Sequence, residues 1–269
     1  MRCEDTGLMS QDITRIIKDW PYDPGQISAR RIMGDDGREK IQLRLDMGIL
    51  QMEIDGNPAG ERPHGHESYL AYYEHVCERH GLKSSPEDDF RLDEEACEFI
   101  RAESVMYYHR YLAEFILEDY QSVVRDTTRN LRAMDFCAAY ASDDADRATM
   151  EQYRPYVIMM RTRASGLLAL GDNRPKTALA AVRKGISEIK HFYKRHEEAE
   201  EFLDAGEISI LKGLAREISR RIPVDPVVRL KRKLAKAVRE ERYEDAAHLR
   251  DRLRGLAARK PQRDQHRPV

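Results

Sequence analysis

Two clusters in the sequence carry residue types that hold metal ions: His64-x-His66 with Glu67, and His75-x-Cys77-x-x-His80 with Glu74. Imidazole, thiolate and carboxylate are the ligands zinc prefers, and a catalytic zinc takes three of them and keeps one position open. The spacing works against that use. On a helix His75 and His80 lie five apart and point in different directions, and His-Glu-x-x-His does not occur. "ERPHGHE" reads instead as a loop and helix start, so no metal and no cofactor is expected. "GDNRPKT" (171–177) has the outline of a phosphate-binding loop. It lacks the Gly before Lys176, and the preceding segment looks helical where that loop needs a strand. Pro175 as the first residue of a helix explains it. The many carboxylates show no isolated pair suited to acid–base catalysis, and charged helix faces account for them.

Electrostatics offers another chemistry. The chain has 46 Lys and Arg against 48 Asp and Glu, a net charge of −2. That balance hides an asymmetry: residues 225–269 hold 14 basic and 7 acidic residues, leaving 32 basic and 41 acidic in the rest. An acidic body with a basic tail fits nucleic acid, an acidic protein partner, or the tail folding on its own body. Arg229, Lys231, Arg232, Lys233 and Lys236 are the candidate nucleic-acid contacts, with affinity expected to fall steeply as salt rises. Aromatic residues are nearly absent from this region, which speaks against base stacking on single strands.

The elements that must position these groups are mostly helices. With 35% charged residues, the composition suggests long solvated helices. None of the four cysteines forms a Cys-x-x-Cys pair. Residues 1–20 have no apolar signal region, and there is no run of 18 apolar residues. The expectation is a soluble, reduced, cytoplasmic protein that makes no membrane contact.

Residues 1–60 form the first segment. "KIQLRLD" and "LQMEID" alternate apolar and polar residues, and "GDDG" (34–37) is a hairpin loop, which together predict strands over 27–33, 40–46 and 49–55. The apolar parity switches between the last two strands, so the chain must turn or bulge near Met47-Gly48. Residues 61–221 read as helical. The spacing predicts a helix over 66–81, the pairs 94–117 with 121–140 and 148–170 with 175–196, and a last helix over 198–221. "LEDYQSVV" and "LGDNRPKTAL" weakly resemble the turn and second-helix start of tetratricopeptide repeats. The copies are 53 residues apart where that family has 34, and Tyr111 stands where it has a small residue. A plain helical bundle explains the same apolar stripes. "IPVDP" (222–226) ends this region, since two prolines three apart cannot both sit inside a helix.

Residues 225–257 predict a helical hairpin, and 258–269 a basic, disordered tail. Leu230, Leu234, Ala237 and Val238 share one helical face; Ala246, Leu249, Leu253 and Leu256 share another. Ala246 and Ala247 are small enough to let two backbones approach, and "EERYED" is short enough to set the helices antiparallel. So small a hairpin needs a further surface against its apolar face.

"LKRKLAKAVREERYEDAAHLRDRLRGL" resembles the UVR motif, the helical hairpin shared by excinuclease subunits B and C and found in some Clp-type ATPases and activators of protein-arginine kinases. The residues that carry the likeness are Ala237-Val238, Glu241, Tyr243-Glu244, Ala246-Ala247 and Leu249-Arg250-Asp251. The resemblance implies pairing of the hairpin with itself, as a homodimer, or with a UVR hairpin on a partner. It implies Leu230, Leu234, Val238, Ala246, Leu249 and Leu253 as interface positions and Tyr243 as the residue that fixes the turn. No nuclease signature, helicase motif set or cysteine cluster accompanies it. The resulting expectation is a mainly α, non-catalytic adaptor with a small antiparallel β-meander, a helical-repeat-like bundle and a UVR hairpin. The alternative is a DNA-associated accessory protein of nucleotide-excision repair or stress response. A third class, an enzyme working through the His-rich segment, has no motif behind it.

Overall fold

The computed structural model describes residues 12–81, 89–196, 205–223 and 226–258. The chain divides into two compact units, Met1–Ser219 and Arg220–Val269. After a short turn of helix, α1 (Thr14–Ile17), the first unit carries β1 (Ser28–Met33), β2 (Glu39–Arg44) and β3 (Ile49–Glu53) as one antiparallel sheet in the order β1-β2-β3. This is the expected meander, a residue or two shorter at three of its six strand ends and one residue longer at the start of β2. Gly37, at φ 73°, closes the first hairpin in a conformation that costs other residues a steric clash. The parity switch is met by a tight turn in which the Leu45 N–H donates to the Gly48 carbonyl at 2.9 Å.

One face of the sheet buries Ile41, Leu43 and Met52 against Ala113. The other departs from the half-exposed strand that alternation predicts, because Lys40, Gln42 and Arg44 are buried too. Each is covered and satisfied. Gln42 accepts from Arg30 Nε at 2.8 Å and donates to Gln51 at 2.8 Å. Arg44 donates to the Trp20 and Gly48 carbonyls, and the Arg30 guanidinium lies 4.3 Å from the Trp20 ring centre. Lys40 pairs with Asp36 and Glu53, so partners from the neighbouring strands, the first hairpin loop and Trp20 make the polar face an interior one.

The helices are α2 (Tyr69–Gly81), α3 (Glu94–Ile116), α4 (Tyr120–Tyr140), α5 (Asp144–Glu151), α6 (Arg154–Gly171), α7 (Pro175–Arg195) and α8 (Gly206–Arg221). Asp93, Asp119 and Asp143 cap α3, α4 and α5 by accepting the N–H groups of Ala96, Ser122 and Ala145. The helix expected over 148–170 is two helices. Pro155 has no N–H to donate and is tolerated only in a first turn, so α6 starts afresh at Arg154. Of the helix expected over 198–221, residues 198–204 lie outside the described residues. α3 packs on α4, α4 on α6, and α6 on α7. The last contact is close at Gly185, where an added Cβ would overlap the side chain of Thr162.

An ionic cluster joins the sheet to these helices. Arg110 is 1% exposed and grips Asp126 with two hydrogen bonds, Nε to Oδ2 at 2.6 Å and Nη2 to Oδ1 at 3.0 Å. Its third nitrogen donates to the carbonyls of Glu53 and Gly56 at 3.0 and 2.9 Å, at the end of β3. Arg125 donates to the Ile54 carbonyl and to Glu114. Tyr107 lies between the guanidinium groups of Arg110 and Arg129, whose carbons are 4.8 and 4.2 Å from its ring centre. The buried carboxylate of Glu103 accepts from Arg129, from Asn57 at 3.0 Å and from the Tyr69 N–H at 2.9 Å, so a side chain of α3 caps the start of α2.

Glu114 is the uneven member of this cluster. It is fully buried, and among the described residues its Oε2 has no hydrogen-bond partner. Burial, and then the Asp126 carboxylate, push its pKa up to about 9 against the pull of Arg125 and Arg110. The folded state therefore keeps a proton that an unfolded chain releases at roughly pH 4–5. The stability this supplies is complete below that range and is lost as pH rises towards about 9. The urea midpoint of the natural chain should fall between roughly pH 5 and 9, and Glu114→Gln, neutral throughout, should flatten that fall. Parallel slopes for the two proteins would contradict the protonated Glu114.

Candidate interaction hairpin

The second unit is built from α9 (Pro226–Arg239) and α10 (Tyr243–Ala258), which pack on each other. α9 starts on Pro226, a first-turn position where the missing N–H has no helical partner to lose. Six Lys and Arg and no acidic residue lie along α9. α10 opens with Glu244 and Asp245, placed where exposed N–H groups favour negative charge.

The turn between them is made by the backbone and one arginine. Glu241 has φ 56°, a left-handed conformation that favours glycine. The N–H groups of Glu241 and Arg242 return to the carbonyls of Val238 and Ala237 at 3.1 and 2.9 Å, which closes the end of α9. Arg242 pairs with Glu240 and with Asp245, each at 2.9 Å, and so spans the turn. Tyr243 is 68% exposed at the start of α10, and its N–H donates to the Glu241 carbonyl at 3.0 Å.

Of the expected interface residues, Leu230 and Ala246 are buried, together with Ala237. Leu234, Leu249 and Leu253 are half-buried, as is Leu256, while Val238 is 52% exposed. An incompletely covered apolar row therefore runs along the hairpin. Arg229, Lys231, Arg232, Lys233 and Lys236 are all exposed. Folding brings two of them together with residues from the other helix. A shallow cleft of about 410 Å³ between α9 and α10 sets Lys233 and Lys236 near His248 and Arg252, with Leu249 among its walls. Residues 259–269 of the basic tail lie outside the described residues.

The His-rich segment is tied up in ring contacts. His64 stacks on Tyr72 at 4.1 Å, His66 tilts against His75 at 5.1 Å, and His80 meets Phe90 edge-on at 5.9 Å. Among the described residues no three His, Cys, Asp or Glu side chains come together as metal ligands. The "GDNRPKT" stretch joins α6 to α7, with Asn173 at φ 56° and Pro175 opening α7, so it links two helices.

A further feature escaped the sequence reading. A cleft of about 510 Å³ opens in the first unit, and Tyr108, Tyr111, Tyr153 and Tyr156 are among its walls, with Glu207 from the first turn of α8. The signal was available: each tyrosine pair has a spacing of three, which puts both rings on one side of a helix. It was hidden because Tyr108 also fits an apolar core stripe.

A two-helix hairpin with an apolar row and small residues beside its turn defines a class of interaction module. Comparison with family models places it more closely: residues 227–259 match the UvrB/uvrC motif (UVR), which mediates helical-hairpin protein interactions. No curated protein and no solved structure matches the chain. The resemblance of the middle region to tetratricopeptide repeats is not shown by these comparisons. Among the described residues no helix is long and apolar enough to cross a membrane.

Glu241 offers a direct test of the turn. A non-glycine residue in the left-handed region costs roughly 1–2 kcal/mol, so Glu241→Gly should stabilise the hairpin by up to about 1 kcal/mol. Amide exchange across α9 and α10 should slow by up to about fivefold. Faster exchange would mean that the Glu241 side chain holds the turn in its own right.

Proposed function

We propose that the chain is a non-catalytic adaptor whose C-terminal hairpin pairs, through its apolar row, with a UVR-type hairpin on a partner or on a second copy. The observation that carries this reading is the exposure of Val238 beside the half-buried Leu234, Leu249 and Leu253. Full burial of such side chains contributes roughly 1.5–3 kcal/mol each, so completing it at several positions supplies several kcal/mol to an association. Tyr243 stands exposed at the turn, an aromatic ring available to a partner. The sheet and helices of the first unit act as the scaffold.

A second reading, association with DNA in excision repair or stress response, is favoured by the cluster of Lys233, Lys236 and Arg252 in one cleft.

The two readings separate experimentally. Leu234→Asp or Leu249→Asp should abolish self-association, or capture of a UVR-hairpin protein such as an excinuclease B subunit, while circular dichroism stays unchanged. Association that survives both changes removes the adaptor reading. For the DNA reading, a duplex should shift in a gel, weaken at least about tenfold between 50 and 200 mM salt, and stop shifting in the Lys233→Ala, Lys236→Ala double variant. A shift that is absent or indifferent to salt removes it.

A further inference from the structure

We infer that the tyrosine-lined cleft of the first unit binds an organic cation, a quaternary or highly methylated ammonium group carried on an apolar body. Its walls come from successive elements of one compact unit. Tyr108 and Tyr111 stand on α3, Tyr153 caps the start of α6, Tyr156 lies on that helix's first turn, and Glu207 opens α8. The rings of Tyr108 and Tyr111 meet edge to face at 5.5 Å, and Tyr156 lies tilted 6.2 Å from Tyr108. Rings from two helices, inclined to one another, thus surround a common space. Tyr111 is almost wholly buried and forms part of the floor, while Tyr153, 58% exposed, stands at the rim.

Charge selects the ligand. The negative face of an aromatic ring attracts a cation within about 6 Å of its centre, most strongly where water is excluded. The cleft has two charged residues in its walls, Arg101 and Glu207. Arg101 is paired with Asp146 at 3.5 Å. Glu207 makes no ion pair among the described residues; burial and Tyr108 push the Tyr156 phenol upward, Arg163, which is not among the cleft walls, pulls it down, and Glu207 adds a smaller upward push. The pocket therefore offers aromatic faces and, among the described residues, one wall carboxylate without an ion pair. At about 510 Å³ it exceeds a lone trimethylammonium group, and Val105, Met134 and Met150 supply apolar wall for the rest of the ligand.

The test uses the full chain and three probes: choline, its neutral isostere 3,3-dimethylbutan-1-ol, and benzoylcholine. Calorimetric or ligand-observed magnetic-resonance titration should find benzoylcholine tightest and the neutral alcohol about tenfold weaker than choline. Glu207→Gln and Tyr153→Ala, both at partly or largely exposed positions, should each weaken benzoylcholine by about tenfold with the thermal midpoint unchanged. Tyr108→Ala should do the same, checked by circular dichroism because its ring is part of the packing. Equal binding of choline and the alcohol would make this a plain apolar pocket and overturn the inference. So would benzoylcholine binding that ignores both exposed-site variants, or no saturable binding below about 10 mM.

Discussion

The first unit depends on what happens to one buried positive charge. Arg110 sits among α3, α4 and the end of β3 with essentially no access to water, and each of its three guanidinium nitrogens donates a hydrogen bond. Removing one partner from such a pair typically costs about 3–5 kcal/mol, because the remaining charge is left buried and alone. The pair therefore matters less for net stability than for specificity: only an arrangement that puts Asp126 and two carbonyls of the β3 loop around Arg110 avoids that cost. Glu103 works in the same way from one turn pair earlier on α3, meeting Asn57, Arg129 and the first N–H of α2. Sheet, loop and three helices are thus located by two charged side chains on a single helix face.

The hairpin rests on different physics. Among its described residues there is no buried ionic cluster, and its helices meet through small and aliphatic residues while the cations of α9 are exposed. Its ordered turn follows from backbone hydrogen bonds and from Arg242, which neutralises two of the acidic residues at the tip. What the hairpin leaves uncovered is apolar on one side and cationic in the cleft between its helices. Those two surfaces correspond to the two kinds of partner that its sequence suggests.

Much of the architecture was legible in the residues because local rules decide it. Alternation at Ile41 and Leu43, the glycine at 37, the proline at 175 and the short loop at 240–245 each act within a few residues, and strands, turns and hairpin follow. The motif at 227–259 was legible for the same reason, since its pattern is contiguous. What was not legible arises between distant segments. Lys40, Gln42 and Arg44 read as a solvated strand face until Asp36 and Glu53 pair with the first and Arg30 and Trp20 meet the other two. A single helix over 148–170 looked continuous until Pro155 took a first-turn position. The tyrosine cleft needs α3, α6 and α8 side by side, and no spacing along the chain states that. Glu241 in a left-handed turn carries no residue-type signal at all.

The carbonyls of Glu53 and Gly56 that receive Arg110 belong to the loop leaving the sheet, although the charge they serve lies in the helical bundle. An expression boundary drawn at the apparent seam between β and α regions would take two carbonyls from a buried guanidinium and would remove Asn57 from Glu103, the carboxylate that caps α2. The small sheet is therefore better regarded as an internal ligand of the helices than as a module added in front of them, and the two parts have to be inherited, cloned and unfolded together.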